Sequence, residues 1–278
     1  MTKSLRFYKN IIIYLLLILG AFITTIPFIY MFSTSLKDKV YVFEIPPKFI
    51  PENPTLNNYL TAWSAGNFKI YFFNSLIVSI STVLLVLLFS SMLAFVFGRY
   101  KFPGKNILFY TMLMTLMIPT IMYIIPEFIL IKRLHLLNSL LALILIYTST
   151  QLPVYTFLLR GFFSEIPKDL EDAAKIDGCN MFMIYWKIML PLATPALATV
   201  SIFSFLGSWD EFIIALTIIN DSSKRTLPIA LMIFQGQYFT RWDIVFAASI
   251  IAIMPVIAIF IIFQRHFVRG IATSGLKG

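Results

Sequence analysis

The chain has 278 residues, of which 59% are hydrophobic and only 13% are charged. Soluble domains carry about 25% charged residues, so this composition excludes an ordinary soluble domain and indicates a membrane protein. A single cysteine excludes an intrachain disulfide, and that cysteine with two histidines is too few ligands for a His/Cys metal cluster. The net charge of +9 fits basic cytoplasmic loops better than a nucleic-acid partner.

Taken in chain order, six segments free of charged residues are long enough to cross a bilayer, which takes about 20 residues. They run from Asn10 to Leu36, Ile70 to Gly98, Asn106 to Pro126, Leu134 to Leu159, Ile188 to Trp209, and Ile244 to Gln264. Backbone polar groups inside lipid must find internal partners, so each span is predicted to be a helix. The first span follows basic residues as a secretion signal does, but it is too long for one. The prediction is therefore an all-α integral membrane protein with six transmembrane helices.

An even number of spans places both termini on one side of the membrane. With the termini inside, 13 of the 22 lysines and arginines fall in inner segments, and the positive-inside rule then predicts cytoplasmic termini. We treat the chain, 1–278, as one membrane domain. Its other segments are a first outer loop at 37–69, a cytoplasmic segment at 161–187, a third outer loop at 210–243 and a cytoplasmic tail at 265–278.

Prolines occur inside several predicted spans. They are Pro27, Pro119, Pro153, Pro191, Pro195 and Pro255. Each removes a helix hydrogen bond and favours a kink, although membrane helices also tolerate proline without a functional role. No charged residue lies deep inside a predicted span, whereas ion-driven carriers usually place a carboxylate there. The sequence therefore lacks the intramembrane carboxylate that is typical of an ion-driven carrier.

The cytoplasmic segment between the fourth and fifth spans predicts a short amphipathic helix. Pro167 suits the first position of this helix, and Gly178 suits its C-terminal cap. Acids favoured by the helix dipole follow the proline at Asp169, Glu171 and Asp172. Apolar and small residues share one face at Ile166, Leu170, Ala173 and Ala174. Periodicity alone leaves two interpretations open, a helix lying flat on the membrane and a helix that docks a partner.

The same segment resembles the signature of ABC importer permeases, which is Glu-Ala-Ala, three residues, Gly, nine residues and Ile-x-Leu-Pro. This sequence has Asp172-Ala173-Ala174, then Gly178, then Ile188-Met189-Leu190-Pro191 at the same spacings. Its one departure is Asp172 in place of Glu. Further motifs are similar to the second of the two permeases in maltose-type sugar importers. They are Asn57-Asn58-Tyr59, Asn74-Ser75-Leu76, Trp209-Asp210-Glu211-Phe212, Leu227-Pro228-Ile229-Ala230 and the tail from Arg269 to Gly278.

This resemblance implies a type I ABC importer permease fold in a bacterial or archaeal cell membrane. It implies a second, different permease chain, two cytoplasmic ATPase subunits that bind ATP and Mg, and an extracytoplasmic solute-binding protein. The chain has no Gly-x-x-x-x-Gly-Lys-Ser/Thr loop, so we expect it to bind no cofactor and to be no enzyme itself. The residues expected to couple to the ATPase are Glu171, Asp172, Ala173, Ala174, Gly178, Leu190 and Pro191. By the same resemblance the tail reaches the ATPase interface, and the third outer loop inserts into the binding protein.

A sugar pathway needs hydroxyls, amides and aromatic rings to bind a neutral polyol. The mid-span candidates are Asn74, Thr120, Thr148, Gln151, Ser204 and Trp209, and each could equally serve helix packing. Three alternatives stay open. One is an ABC permease for a polyol phosphate or a peptide, another is an ion-coupled transporter or channel, and the third is a membrane-embedded enzyme.

Overall fold

The computed structural model describes residues 3–40, 43, 45–234 and 240–274, with backbone alone for 3–7 and 266–274. Within these ranges every regular element is a helix, as the sequence predicts. The α-helices of the described residues are α1 (Lys3–Ser35), α2 (Asn57–Ser64), α3 (Phe68–Arg99), α4 (Lys105–Met114), α5 (Ile124–Arg133), α6 (Leu140–Glu165), α7 (Asp169–Ile176), α8 (Met181–Ile184), α9 (Leu190–Leu192), α10 (Thr194–Trp209), α11 (Ile213–Ile218), α12 (Leu227–Ile233) and α13 (Trp242–Ser274).

The prediction of six membrane spans is confirmed in a modified form. In the described part of the chain, single helices long and apolar enough to cross a bilayer lie at Tyr8–Ser35, Phe68–Arg99, Leu140–Glu165 and Trp242–Arg265. Two further spans are bent pairs of helices, so the total reaches six when each pair counts as one span. The apolar window of α1 buries none of its residues within the chain, and lipid or another subunit must therefore cover it.

The third span breaks near its middle. Its halves, Lys105–Met117 and Thr120–Arg133, meet at an angle of 99°, and Pro119 stands in the gap between them. The predicted limit at Pro126 is wrong, because the helix continues through Glu127 to Arg133. Glu127 therefore lies inside the third span, six residues before its end at Arg133.

The fifth span is also bent. Met181–Leu192 and Thr194–Trp209 meet at 76°, after a π-helical turn at Tyr185–Met189. It begins seven residues before the predicted start at Ile188. By contrast, Pro27, Pro153 and Pro255 lie inside continuous helices, so proline alone does not determine where the spans break.

The chain forms two compact units, residues 1–68 with 231–253 and residues 69–230 with 254–278. In the first unit α1 ends against the first outer loop. The Asn58 amide donates to the carbonyls of Ser35 at 2.8 Å and Lys37 at 2.7 Å, and the Tyr59 hydroxyl lies 2.7 Å from the Ser35 hydroxyl. The Asn-Asn-Tyr motif therefore satisfies carbonyls that the end of a helix leaves without partners.

The second unit contains two apolar cores, and α7 packs into one of them. That core includes Phe95 of α3, Phe163 of α6 and Met189 of the π-helical turn, together with Ala174 of α7. The hydroxyls of Ser91 and Tyr185, 2.7 Å apart, link α3 to the same turn. One face of the predicted cytoplasmic helix is thus part of a packed core.

Two polar side chains of α3 hold the third outer loop. The Asn74 amide donates to the carbonyls of Ser223 at 3.0 Å and Arg225 at 2.9 Å. The Ser75 hydroxyl accepts from the N–H of Leu227 at 2.8 Å, which is the first residue of α12. The Asn-Ser-Leu and Leu-Pro-Ile-Ala motifs therefore meet in the fold. Residues 235–239 of that loop lie outside the described residues.

Candidate functional site: the α7 helix and the cavity at the third span

The predicted cytoplasmic helix is present as α7, but the placing of Pro167 at its first position is wrong. The helix begins at Asp169 with Lys168 as its N-cap, so Pro167 precedes the cap. It ends in the cap expected at Gly178, whose φ of +82° is left-handed. The N–H of Cys179 bonds the carbonyl of Ala174 at 2.9 Å, and the N–H of Gly178 bonds that of Lys175 at 3.0 Å. These two bonds are the Schellman pair, and a residue without a Cβ suits the left-handed position best.

A buried ion pair holds one face of α7 against the rest of the unit. The side chain of Glu171, on the buried face of α7, forms an ion pair with the Nε of Arg99, the last residue of α3. The same guanidinium donates through Nη1 to the carbonyls of Ile166 at 2.8 Å and Phe163 at 3.2 Å. Both charged side chains are more than nine-tenths buried. Arg99 therefore joins the end of α3, the end of α6 and α7 at one point.

The opposite face of α7 is exposed and partly apolar. Leu170 is 43% exposed and Ile176 is 87% exposed, and Ala173 lies between them at the surface. Exposed apolar side chains beside a small residue allow another surface to approach closely. Of the residues expected to couple to an ATPase, Asp172 and Ala173 lie on this exposed face, whereas Glu171 and Ala174 face inward.

Asp172 and Lys175 form an exposed ion pair along α7. The Lys175 ammonium donates to the Asp172 carboxylate at 2.8 Å. This hydrogen bond is the main cause that lowers the pKa of the Asp172 carboxyl, and it likewise raises the pKa of the Lys175 ammonium. Asp172 therefore stays ionised at neutral pH and presents a negative charge beside Ala173.

Leu190 and Pro191, the last residues of the signature, lie away from α7. They form α9 at the bend of the fifth span, where Leu190 packs against the core that receives Ala174 and Pro191 is exposed. The end of the signature thus shapes the bend of the fifth span, while its beginning builds α7.

The bend of the third span opens a cavity of about 460 Å³. Its polar lining comes from both halves of the span and from α6, at Thr115, Thr120, Tyr123, Glu127, Ser149 and Thr150. The Oε2 atom of Glu127 is buried there and has no hydrogen-bond partner among the described residues. A buried acceptor without a partner costs about 1–3 kcal/mol, so a hydroxyl donor that reached Oε2 would remove this cost.

Only Thr120 among the six pathway candidates lines this cavity. The Gln151 amide instead bridges α6 to α10, accepting from the Ser204 hydroxyl at 2.6 Å and donating to Ser208 at 3.0 Å. Thr148 bonds the carbonyl of Ile144 in its own helix, and Trp209 is buried against Phe205. Asn74 holds the third outer loop, as described above.

Arg99 and Glu127 are candidate site residues that the sequence alone does not identify. Arg99 ends the second charge-free span, so its position is visible in the sequence, but its partner is 72 residues away. The predicted third span ends at Pro126 because charged residues delimit the predicted spans, so Glu127 falls just outside it. The signal that could have found it is Pro119, eight residues earlier, where a break allows a polar lining.

Comparison with known proteins now adds to this geometry. Residues 86–273, which include α7, its Schellman cap and both bent spans, match the family described as the binding-protein-dependent transport system inner membrane component. The chain belongs to this family. The predicted resemblance to ABC importer permeases is thereby confirmed, and membership argues against the enzyme and ion-coupled alternatives.

Several relatives of the permease cover nearly all of its length. A sulfoquinovosyl glycerol transport system permease protein from Agrobacterium fabrum is 36% identical over 99% of this chain and 94% of its own. An arabinooligosaccharides transport system permease protein from Halalkalibacterium halodurans is 37% identical over 93% of both chains. A diacetylchitobiose uptake system permease protein from Streptomyces coelicolor is 33% identical over 94% of this chain and 87% of its own.

A solved structure shares the fold of the permease. It is a chain of a bacterial ABC transporter involved in the import of alginate, with a TM-score of 0.81 over 96% of this chain and 99% of that one. At 22% identity this likeness concerns the fold. The predicted type I ABC importer permease fold is confirmed.

Proposed function

We propose that this permease is one of two membrane-spanning subunits of an ATP-driven importer for a sugar or oligosaccharide. An extracytoplasmic binding protein delivers the solute, and two ATPase subunits that bind ATP and Mg drive transport from the cytoplasm. The second membrane subunit is a different chain. This permease binds no cofactor and hydrolyses nothing itself.

The observation that carries the proposal is the two-sided arrangement of α7. Its inner face is tied to the ends of α3 and α6 through Arg99 and Glu171, while its outer face leaves Leu170, Ala173 and Ile176 uncovered. A partner that binds the outer face can therefore move α7 and the ends of α3 and α6 as one body. Rigid coupling of this kind is what an ATP-driven switch between two states requires.

The substrate class is supported by the cavity and by the relatives. Three relatives transport sulfoquinovosyl glycerol, arabinooligosaccharides and diacetylchitobiose according to their names, and all of these carry many hydroxyl groups. The hydroxyls of Thr120 and Tyr123 and the free acceptor of Glu127 line a cavity of about 460 Å³. Polar groups of this kind on a largely apolar wall suit a polyol.

The orientation proposed for the chain has both termini in the cytoplasm. The positive-inside distribution of lysine and arginine supports it, and so does the need for α7 to meet an ATPase. The tail residues 275–278 and the side chains from 266 onward lie outside the described residues, so the proposed tail contact with the ATPase rests on the resemblance alone.

Reconstitution tests the function. The permease, its partner permease, the ATPase and the binding protein are placed in liposomes, and uptake of a panel of labelled oligosaccharides is measured. We expect uptake that requires internal ATP and continues when ionophores collapse the ion gradients. Uptake that follows an imposed ion gradient without ATP would disprove the proposal, and transport of a peptide but no sugar would disprove the substrate class.

A further inference from the structure

A second cavity, of about 520 Å³, lies beside the loop between α3 and α4. Three basic side chains line it, Lys101 from the loop, Lys105 from the first turn of α4 and Arg160 from α6. No acidic residue is among its lining residues. Within the described residues no carboxylate forms an ion pair with any of the three. The cavity therefore concentrates positive charge without an internal counter-charge.

Two of these cations are held in place by the protein. The Arg160 guanidinium lies 4.0 Å from the centre of the Phe109 ring, and its Nε donates to the carbonyl of Phe97 at 3.3 Å. The Lys105 ammonium donates to the carbonyl of Tyr100 at 2.7 Å. Like charges fixed near one another repel, so a site built in this way favours an anion that neutralises them.

The position of the cavity selects the kind of anion. Arg99 is the last residue of one span and Lys105 the first of the next, so the cavity lies where the chain leaves the bilayer. Next to it α4 exposes apolar side chains, with Ile107 73% exposed and Leu108 58% exposed. A ligand with a phosphate head and acyl chains would place its charge among the cations and its chains along α4.

We propose that this cavity binds the phosphate-bearing headgroup of an anionic membrane phospholipid. The three cations neutralise the headgroup, and the exposed face of α4 contacts its acyl chains. The bound lipid would also brace the loop that directly follows Arg99. The site is separate from α7 and from the cavity at Glu127, and it does not depend on which solute is transported.

Lipid binding is measured by native mass spectrometry on the purified full complex, with phosphatidylglycerol and zwitterionic phosphatidylcholine as probes. The test variant is Lys101→Gln with Lys105→Gln, which leaves the packing of Arg160 on Phe109 unchanged. The matched control is Lys168→Gln with Lys187→Gln, which removes two other exposed bases of the predicted inner side. We expect phosphatidylglycerol to bind more tightly than phosphatidylcholine, and its affinity to fall at least about tenfold in the test variant alone.

Three outcomes would overturn the proposal. Equal binding of the two lipids would show that charge is not recognised. An equal loss of phosphatidylglycerol affinity in the control variant would show that the lipid is attracted to the basic surface as a whole and not to this cavity. Displacement of phosphatidylglycerol by millimolar inorganic phosphate would identify a free anion as the ligand, whereas persistence of the lipid in that arm supports the headgroup. A circular dichroism spectrum of each variant confirms that the helices are retained.

Discussion

Arg99 and Glu171 form a buried ion pair that joins the end of α3 to α7. In the proposed transporter, the pair lies where the force of an ATPase docked on α7 would enter the membrane domain. Because Arg99 also bonds two carbonyls at the end of α6, a displacement of α7 is transmitted to two membrane spans together. We therefore regard Glu171 as a positioning residue on the inner face of α7, and the exposed face as the docking surface.

Breaking this pair should destabilise the permease strongly. Arg99→Ala leaves the Glu171 carboxylate buried without its counter-charge, which costs about 3–5 kcal/mol. Replacing both residues with methionine should recover most of that loss, since no isolated charge remains. Thermal unfolding of the purified protein measures both effects. Lys175→Ala, which breaks an exposed pair, is the control, and a comparable loss in that variant would contradict the importance of burial.

Coupling should fail in the doubly substituted protein even where its stability recovers. Methionine side chains can fill the space but cannot hold α7 and the ends of α3 and α6 together through directed hydrogen bonds. We expect the binding protein to stimulate ATP hydrolysis much less in this variant than in the wild type, as measured in liposomes. Full stimulation together with normal uptake would mean that Arg99 has only a structural role.

Gly178 should tolerate little besides asparagine. Its φ of +82° costs a residue with a Cβ roughly 1–2 kcal/mol, although a Cβ there would meet no other atom within 4 Å. The strain would loosen the cap of α7, so Gly178→Val should abolish uptake while the protein still inserts, and Gly178→Asn should retain part of it. Gly161→Ala, in open space within α6, is the control. Normal uptake and ATPase coupling in Gly178→Val would refute the assignment of α7.

Substitution of Glu127 should change the KM of solute uptake more than it changes the stability of the fold. Glu127→Gln replaces a carboxyl oxygen with an amide, and loss of one ordinary hydrogen bond to the solute, about 0.5–1.5 kcal/mol, corresponds to up to roughly a tenfold change in the KM of uptake. The measurement is initial uptake rate against concentration of the loaded binding protein. Met122→Leu, an exposed change on the same half-span, should leave KM unaltered. An unaltered KM in Glu127→Gln would exclude the cavity from the pathway.

The charge of Asp172 should not titrate near neutral pH. The hydrogen bond from Lys175 lowers the pKa of this carboxyl below its usual value of 3.8. A carboxyl with a depressed folded pKa contributes stability above its unfolded pKa, and that contribution is lost only as pH falls through the folded pKa. The difference in melting temperature between the wild type and Asp172→Asn should therefore be constant from pH 7 to pH 5. A difference that disappears within this interval would show that the pKa is not lowered.

Much of the architecture follows from local features of the sequence. The apolar spans are visible because charge interrupts them, and α7 is visible because acids, a small-residue face and Gly178 coincide. The sequence predicts the bends only in part. Pro119 lies in the break of the third span, and Pro191 and Pro195 flank the break of the fifth, but Pro153 and Pro255 lie in unbroken helices. Which proline breaks a span depends on the neighbouring helices that satisfy the freed carbonyls.

The candidate site was harder to predict, because its contacts join residues distant in the sequence. Asn74 near the start of α3 and Gln151 in the middle of α6 are polar side chains within spans, as pathway residues would be, yet their amides hold a loop and a neighbouring helix. No local feature of the sequence distinguishes a pathway residue from a packing residue. Glu171 likewise belongs to the acidic first turn, but which face of α7 is buried depends on Arg99, which lies on another helix.

Cross-linking from the exposed face of α7 tests the central claim most directly. Cys179 is half-buried and is changed to serine, and a cysteine is then introduced by Ile176→Cys at the exposed end of α7. A second variant carries Ile50→Cys in the first outer loop, where the side chain is 82% exposed. In the assembled transporter, the cysteine at 176 should capture the ATPase subunit and the cysteine at 50 should not. Failure of position 176 to capture it, or its capture from position 50, would contradict the account.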